Sequence, residues 1–218
     1  MAGDGMHIPN YQKEMDALLL QLQREEHVPS LLLHSCCAPC SSYVIEYLSA
    51  YFSITVFYYN PNLYPDAEYA LRSAEQKRLI ADMPVKNRVR YLQGDFEKEA
   101  FYTVCKGYEA ESEGGERCRR CYRLRLDKTA QTAKRLGFDY FATTLTISPL
   151  KNAHTINQIG KEIEHSRQIC YLSSDFKKKN GFKRSTELSS MYGIYRQNYC
   201  GCIFSQRENQ KKTSSIKR

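Results

Sequence analysis

Apolar residues recur at Met15, Leu18, Leu19 and Leu22, a helical spacing that predicts an amphipathic helix over residues 11–27. Pro29 and Ser30 break it. The pattern then becomes short, continuous apolar runs: 31–34, 54–59, 89–92 and 140–145. Such runs fit strands buried on both faces. Between them, helical spacing predicts helices over 41–52, 66–81, 96–105 and 118–136, followed by 152–165 and 183–192. Pro65 and Asp66 mark one helix start, and Gly137 and Gly193 mark helix ends. Strands alternating with helices predict parallel βαβ units in a doubly wound, Rossmann-like sheet. Ligands of such sheets bind beyond the carboxyl ends of the strands, where strand order switches.

The expected organisation is an N-terminal helical extension over 1–29, one α/β domain over 30–205, and a disordered basic tail over 206–218. Its 218 residues, 42% hydrophobic and 26% charged, can bury a core without disulfides. No apolar run nears the roughly 18 residues of a membrane span, and residues 1–10 lack a signal-peptide pattern. A cytoplasmic protein with no membrane partner is expected.

Net charge is +8, unevenly placed. Residues 177–218 hold eleven Lys or Arg against Glu187 and Glu208, so this segment carries +9 and the rest −1. Lys177, Lys178, Lys179 and Arg184 are the candidates for nucleic-acid phosphate, set against a plain solvated surface. Arg117, Arg119, Arg120, Arg123 and Arg125 surround a cysteine pair and suit either thiolates or phosphate.

Nine cysteines without a secretion signal point to metal or redox chemistry. Cys36, Cys37 and Cys40 follow the first strand, where a turn into a helix can aim thiolates at one centre. Cys118-Arg119-Arg120-Cys121 has the spacing of half a zinc site or of a redox dithiol. Together, Cys36, Cys37, Cys118 and Cys121 supply four thiolates, enough for Zn²⁺ or a [4Fe–4S] cluster. Cys200-Gly201-Cys202 fits a strained disulfide, two further ligands, or two buried cysteines. Cys105 and Cys170 read as structural. His34 fits a core histidine better than a ligand. Asp66, Glu68 and Tyr69 fit a helix start or a pocket wall. Ser148 to Asn152 fits a helix cap or a substrate loop.

Several of these segments resemble the cobalamin-independent epoxyqueuosine reductases, the QueH family. They are Leu33-His34-Ser35-Cys36-Cys37-Ala38-Pro39-Cys40, Tyr59-Asn60-Pro61-Asn62, Gly114 to Cys121, Thr143 to Pro149, and Asp175-Phe176-Lys177-Lys178 onward to Cys202. The match is collinear from about residue 30 to 205. It implies a fold related to the nucleotide α-hydrolases and reduction of epoxyqueuosine to queuosine at the wobble position of tRNA. It further implies a [4Fe–4S] cluster on Cys36, Cys37, Cys118 and Cys121, and a redox-active disulfide between Cys200 and Cys202. A second metal, iron, would sit beside the cluster at Cys40, with no cobalamin. The implied partners are tRNA carrying epoxyqueuosine and an electron donor not identified by sequence. His34, Tyr64 and Asp66 are candidate proton donors. Two other readings stand beside this one. A zinc-stabilised RNA-binding module needs only the thiols. An ATP-dependent tRNA-thiolating enzyme needs a glycine-rich phosphate loop, and Cys36-Cys37-Ala38-Pro39-Cys40 has no glycine there.

Overall fold

The computed structural model describes residues 9–25 and 27–216. The elements in chain order are α1 (Tyr11–Leu22), β1 (Ser30–His34), α2 (Ala38–Leu48), β2 (Ser53–Tyr58) and α3 (Asp66–Asp82). Next come β3 (Val89–Gln93), α4 (Lys98–Cys105), α5 (Glu116–Leu136) and β4 (Tyr140–Thr143). After a 3-10 turn at Thr144–Ile147, the chain forms α6 (Ala153–Arg167), β5 (Cys170–Tyr171), α7 (Gly181–Met191) and α8 (Ile203–Ile216).

The strands form one parallel sheet in the order β3-β2-β1-β4-β5. Alternation along β1 sends Leu31 and Leu33 to one face and Leu32 to the other. Leu31 and Leu33 join Ile54, Val56 and Ala142 under Met15 and Leu19 of α1, Val44 and Ile45 of α2, and Leu79 of α3. Leu32 joins Phe57 and Phe141 under Leu126 and Ala130 of α5 and Ile156 and Ile159 of α6. Each such fully buried leucine contributes about 1.5–3 kcal/mol relative to exposure. Helices cover both faces, which makes the sheet doubly wound and Rossmann-like.

The differences from the sequence expectation have physical causes, some local and some long-range. α1 ends at Leu22, its last core-facing apolar residue, rather than near residue 27. α2 begins earlier, at Ala38, because Pro39 lies in its first turn, where proline's missing N–H costs nothing. β4 stops at Thr143, whose hydroxyl accepts from the Leu145 N–H at 3.2 Å and turns the chain into the 3-10 segment. The two-residue β5 is too short to show a pattern. The segment after Gln206, expected to lack fixed structure, is helical as part of α8. Phe204 packs against Phe101, and Glu208 pairs with Arg117 at 3.0 Å, so the helix has an anchor that its polar composition hides. α1 is tied to the domain by Tyr11 to His154 Nδ1 (2.8 Å) and by the pairs Lys161–Glu14 and Lys179–Asp16. Residues 1–8 of the expected extension and 217–218 of the expected tail lie outside the described residues. Among the described residues, no helix is long and apolar enough to cross a membrane.

Candidate functional site

The strand order switches between β1 and β4, which are neighbours but lead to opposite edges of the sheet. His34 and Thr143 end these strands in register. His34 is fully buried. Its Nε2 donates to the Tyr59 carbonyl (3.1 Å), so Nδ1 accepts from the Thr143 hydroxyl (2.9 Å). Burial, then the nearby Arg125 charge, pushes its pKa down to about 3. The ring is therefore a neutral clamp across the switch point, as a core histidine would be. The turn beyond it is fixed by Asn60 Nδ2 donating to the Ser35 carbonyl (2.8 Å). Ser35 and Ser41 both donate to Gln76 Oε1, at 2.7 and 2.8 Å.

This turn presents Cys36, Cys37 and Cys40, whose sulfurs all lie within 4.8 Å of one another. Cys36 and Cys37 Sγ are 3.7 Å apart, and Gln197 Nε2 donates to Cys37 Sγ at 3.1 Å. Hydrogen bonding from the Cys36 and Cys40 thiols holds Cys37 well below the ordinary thiol range, and Arg72 adds to this. The bond with Cys37 raises Cys36, and bonds with Cys36 and then Cys37 raise Cys40. Cys37 is also the residue capping the N-terminus of α2, where negative charge is favoured. The arrangement makes Cys37 the most readily ionised thiol of the trio.

Cys118 and Cys121 sit in the first turns of α5, three residues apart and so on one face. Neither belongs to the tight trio, but Cys118 packs in the same cluster as Cys36 and Cys37. Cys118 Sγ accepts from the Gly114 N–H at 3.3 Å. Cys121 packs with Cys105, Cys202, Phe101 and Phe204. Burial pushes the thiols of Cys105, Cys121 and Cys202 up to about 12. All nine cysteines are free thiols, Cys200 and Cys202 included. Cys105, read from sequence as isolated, thus stands beside two site cysteines, whereas Cys170 is exposed on the edge strand β5.

The segment 195–202 closes the site. The Tyr64 N–H donates to the Gly201 carbonyl (2.9 Å), and Arg72 Nη1 donates to the Cys200 carbonyl (3.3 Å). The Cys200 N–H donates to Ser205 Oγ (3.0 Å), and that hydroxyl donates to Glu113 (3.0 Å). A cavity of about 270 Å³ results, with Cys36, Cys40, Cys200, Arg125, Lys151 and Gln197 in its wall. Its far wall is the loop Ser148–Lys151 and Phe182 of α7. Lys151 is only 9% exposed. Burial acts to lower its pKa, but Cys200, Tyr122, Cys36 and Cys40 outweigh it, and the net direction is up. A charged lysine thus faces a nest of thiols.

The buried cations test whether this nest suits an anionic metal–thiolate group. Arg72 and Arg125 each keep one Nη2 without any hydrogen-bond partner. Both face site thiols: Cys37 and Cys36 for Arg72, and Cys121, Cys200 and Cys36 for Arg125. Orphaned guanidinium N–H groups on arginines close to these thiols fit a negatively charged centre there.

The other sequence candidates fall elsewhere. Asp66 pairs with Lys98, Glu68 pairs with Arg72, and Tyr69 stacks on Phe96; none is in the cavity wall. The half-exposed Tyr64 is likewise outside that wall. Ser148 to Lys151 do line it, while Asn152 caps α6 by accepting from the Thr155 N–H. Lys177 pairs with Asp175, Lys179 with Asp16, and Arg184 with Glu46 and Glu187. Lys178 has no such partner among the described residues. Arg117 and Arg125 are buried, whereas Arg119, Arg120 and Arg123 face outward and pair with Glu116 or Glu162. The sequence reading missed Arg72 and Glu113, and placed Gln197 only within the segment before Cys200, with no role of its own. An i,i+4 Glu68–Arg72 pair looks like an ordinary solvated helix face, and nothing local marks Glu113.

A doubly wound parallel sheet with a thiol-lined, cation-backed cavity at its switch point defines a Rossmann-like protein built for metal or redox chemistry. The chain belongs to the epoxyqueuosine reductase QueH family, whose sequence profile matches residues 31–208. It is 44% identical to an epoxyqueuosine reductase QueH of Streptococcus pyogenes over 91% of this chain and 78% of that protein. A Staphylococcus epidermidis protein of the same name is 41% identical over 89% of this chain and 84% of its own length. One from Thermotoga maritima is 37% identical over 87% of this chain and 96% of its own length.

Proposed function

We propose that this chain reduces the epoxide of epoxyqueuosine at the wobble position of tRNA, giving queuosine. The observation that carries the proposal is the meeting of Cys36 and Cys40 with Cys200 in one cavity wall at the β1/β4 switch point, with Cys118 packed beside Cys36 and Cys37, in a chain matched by the family profile. Removal of the epoxide oxygen as water takes two electrons and two protons. In this reading Cys36, Cys37, Cys118 and Cys121 hold a [4Fe–4S] cluster, and Cys40 holds a second iron beside it, without cobalamin. When bound, these groups supply single electrons and a Lewis acid for the oxygen.

The chain's own residues do the rest. Gln197 and the α2 N-terminus keep Cys37 ionised and oriented. Lys151 places a positive hydrogen-bond donor inside the cavity, where an epoxide oxygen gains negative charge as its C–O bond breaks. The cavity walls exclude water from the extruded base. Cys200 and Cys202 exchange two electrons with the donor as a thiol–disulfide pair. Lys178 and its neighbours meet tRNA phosphate.

A second reading has one observation in its favour. Four sulfurs on a single zinc lie about 3.8 Å apart, given Zn–S of about 2.3 Å, and the trio at Cys36, Cys37 and Cys40 is nearly that tight. Anaerobic purification with metal and sulfide analysis separates the two. Iron with acid-labile sulfide, and conversion of epoxyqueuosine in tRNA by nucleoside analysis, is the expected result. Zinc without sulfide, and no conversion, would overturn the reductase. Alanine at Cys36, Cys37, Cys118 or Cys121 should each lose most iron, and Cys170→Ser none. Cys200→Ser and Cys202→Ser should keep iron and lose turnover; loss of iron would make them ligands instead.

A further inference from the structure

Three arginines are among the largest fully buried side chains: Arg72, Arg117 and Arg125. Arg72 is neutralised by Glu68, and Arg117 by Glu208. Arg125 has no carboxylate partner among the described residues. It is 1% exposed, its Nε donates to the Cys121 carbonyl at 3.4 Å, and its Nη2 has no partner. Tyr122 lies 5.8 Å away as a ring face. An arginine cannot shed its proton to escape this burial, as a lysine or histidine would. A buried fixed charge needs a counter-charge, and no side chain described here supplies one. What Arg125 does face is the cavity, in whose wall it stands with Cys36, Cys40 and Cys200.

We infer that Arg125 is the counter-cation of the metal–thiolate centre and sets its reduction potential. The inference deepens the proposed function and rests on it. A fixed positive charge with a free N–H favours the more negative, reduced state of a thiolate-ligated cluster, so it raises the potential. Arg125 is thus a positioning residue, acting through the centre and not on the substrate. Its location on α5, one turn after Cys121, makes it part of the same helix that presents two of the proposed ligands.

The test compares the reconstituted wild type with Arg125→Met, Arg125→Gln and Arg125→Lys. Iron and sulfide content is measured first, and then the midpoint potential by a spectroscopic redox titration. Met and Gln remove the charge and should shift the equilibrium at least tenfold toward the oxidised state, about 59 mV for one electron. Lys should stay nearer the wild type. In the metal-free proteins the order of stability should reverse, with Arg125→Met unfolding at the same or a higher temperature than the wild type. If Met and Gln carry full iron at the wild-type potential, the assignment is wrong. If they fail to load iron while Lys loads it, the need for charge is upheld. If Lys fails as well, Arg125 is needed for its shape, and the assignment is overturned. A wild type without iron and sulfide would remove the metal reading itself, before any variant is compared.

Discussion

Gly201, between Cys200 and Cys202, offers a quantitative check on how the site is held. Its φ is +112°, and a Cβ built there would lie 2.4 Å from Leu63 Cδ2 and 2.8 Å from Arg72 Nη1. Gly201→Ala therefore carries two costs. The backbone conformation costs an L-residue about 1–3 kcal/mol. Forcing the extra methyl into filled space costs about 1–3 kcal/mol more. Neither neighbour yields easily, because Leu63 is buried and Arg72 is held by Glu68 and the Cys200 carbonyl. The total is about 2–6 kcal/mol. At about 2.1 cal/mol/K per residue, 218 residues give an unfolding entropy near 0.46 kcal/mol/K, so Tm should fall by about 4–13 °C. Gly137→Ala is the internal control. Gly137 also has positive φ, +73°, but its Cβ would meet nothing within 4 Å. It should show the backbone cost alone, about 1–2 kcal/mol, or a fall of about 2–4 °C. Thermal unfolding of both variants, metal-free, reads the difference. Equal losses in the two would refute the close packing of Gly201 on Leu63 and Arg72.

Two further outcomes follow from side-chain environments. His34 is neutral when folded, with a pKa near 3, but takes up a proton near pH 6.5 when unfolded. Stability should then fall by about 1.4 kcal/mol per pH unit as pH drops from about 6.5 toward 3. His34→Gln removes this proton uptake, so denaturant titrations should show a shallower pH slope for the variant; parallel slopes would contradict a neutral buried ring. For tRNA binding, Lys178→Gln should reduce the log–log salt slope by roughly 0.7–0.9. Lys177→Gln, Lys179→Gln and Arg184→Gln should reduce it less, since each cation already has a carboxylate. The reverse ranking would mean that those ion pairs open on RNA.

The sheet was readable because β1, β2 and β4 are buried on both faces, so their apolar runs are nearly unbroken. The Cys36–Cys40 turn was readable too, since local spacing shows directly which residues follow a strand. What escaped were features set by long-range contacts. α8 has few apolar positions and owes its place to Phe204 and to the Glu208–Arg117 pair, 91 residues apart. The role of Arg72 depends on its reach to the Cys200 carbonyl, 128 residues away. The lysine cluster looks uniform as sequence, yet three of the four cations are engaged by acids: Lys177 by its near neighbour Asp175, and Lys179 and Arg184 by Asp16 of α1 and Glu46 of α2. Composition counts charges but cannot say which ones are already neutralised.

The closing segment also bears on when the cavity is enclosed. Cys36 and Cys37 leave the ribosome early, and Cys118 and Cys121 near the middle of synthesis. Gln197 and Cys200, which complete the cavity wall, come some 80 residues after Cys121. Until they arrive, the early thiols lack the Gln197 bond and the part of the wall that residues 196–200 supply. The cavity is therefore enclosed only in the finished chain. A polypeptide stalled before residue 197 would leave Cys37 without its Gln197 bond and the cavity without its Cys200 wall.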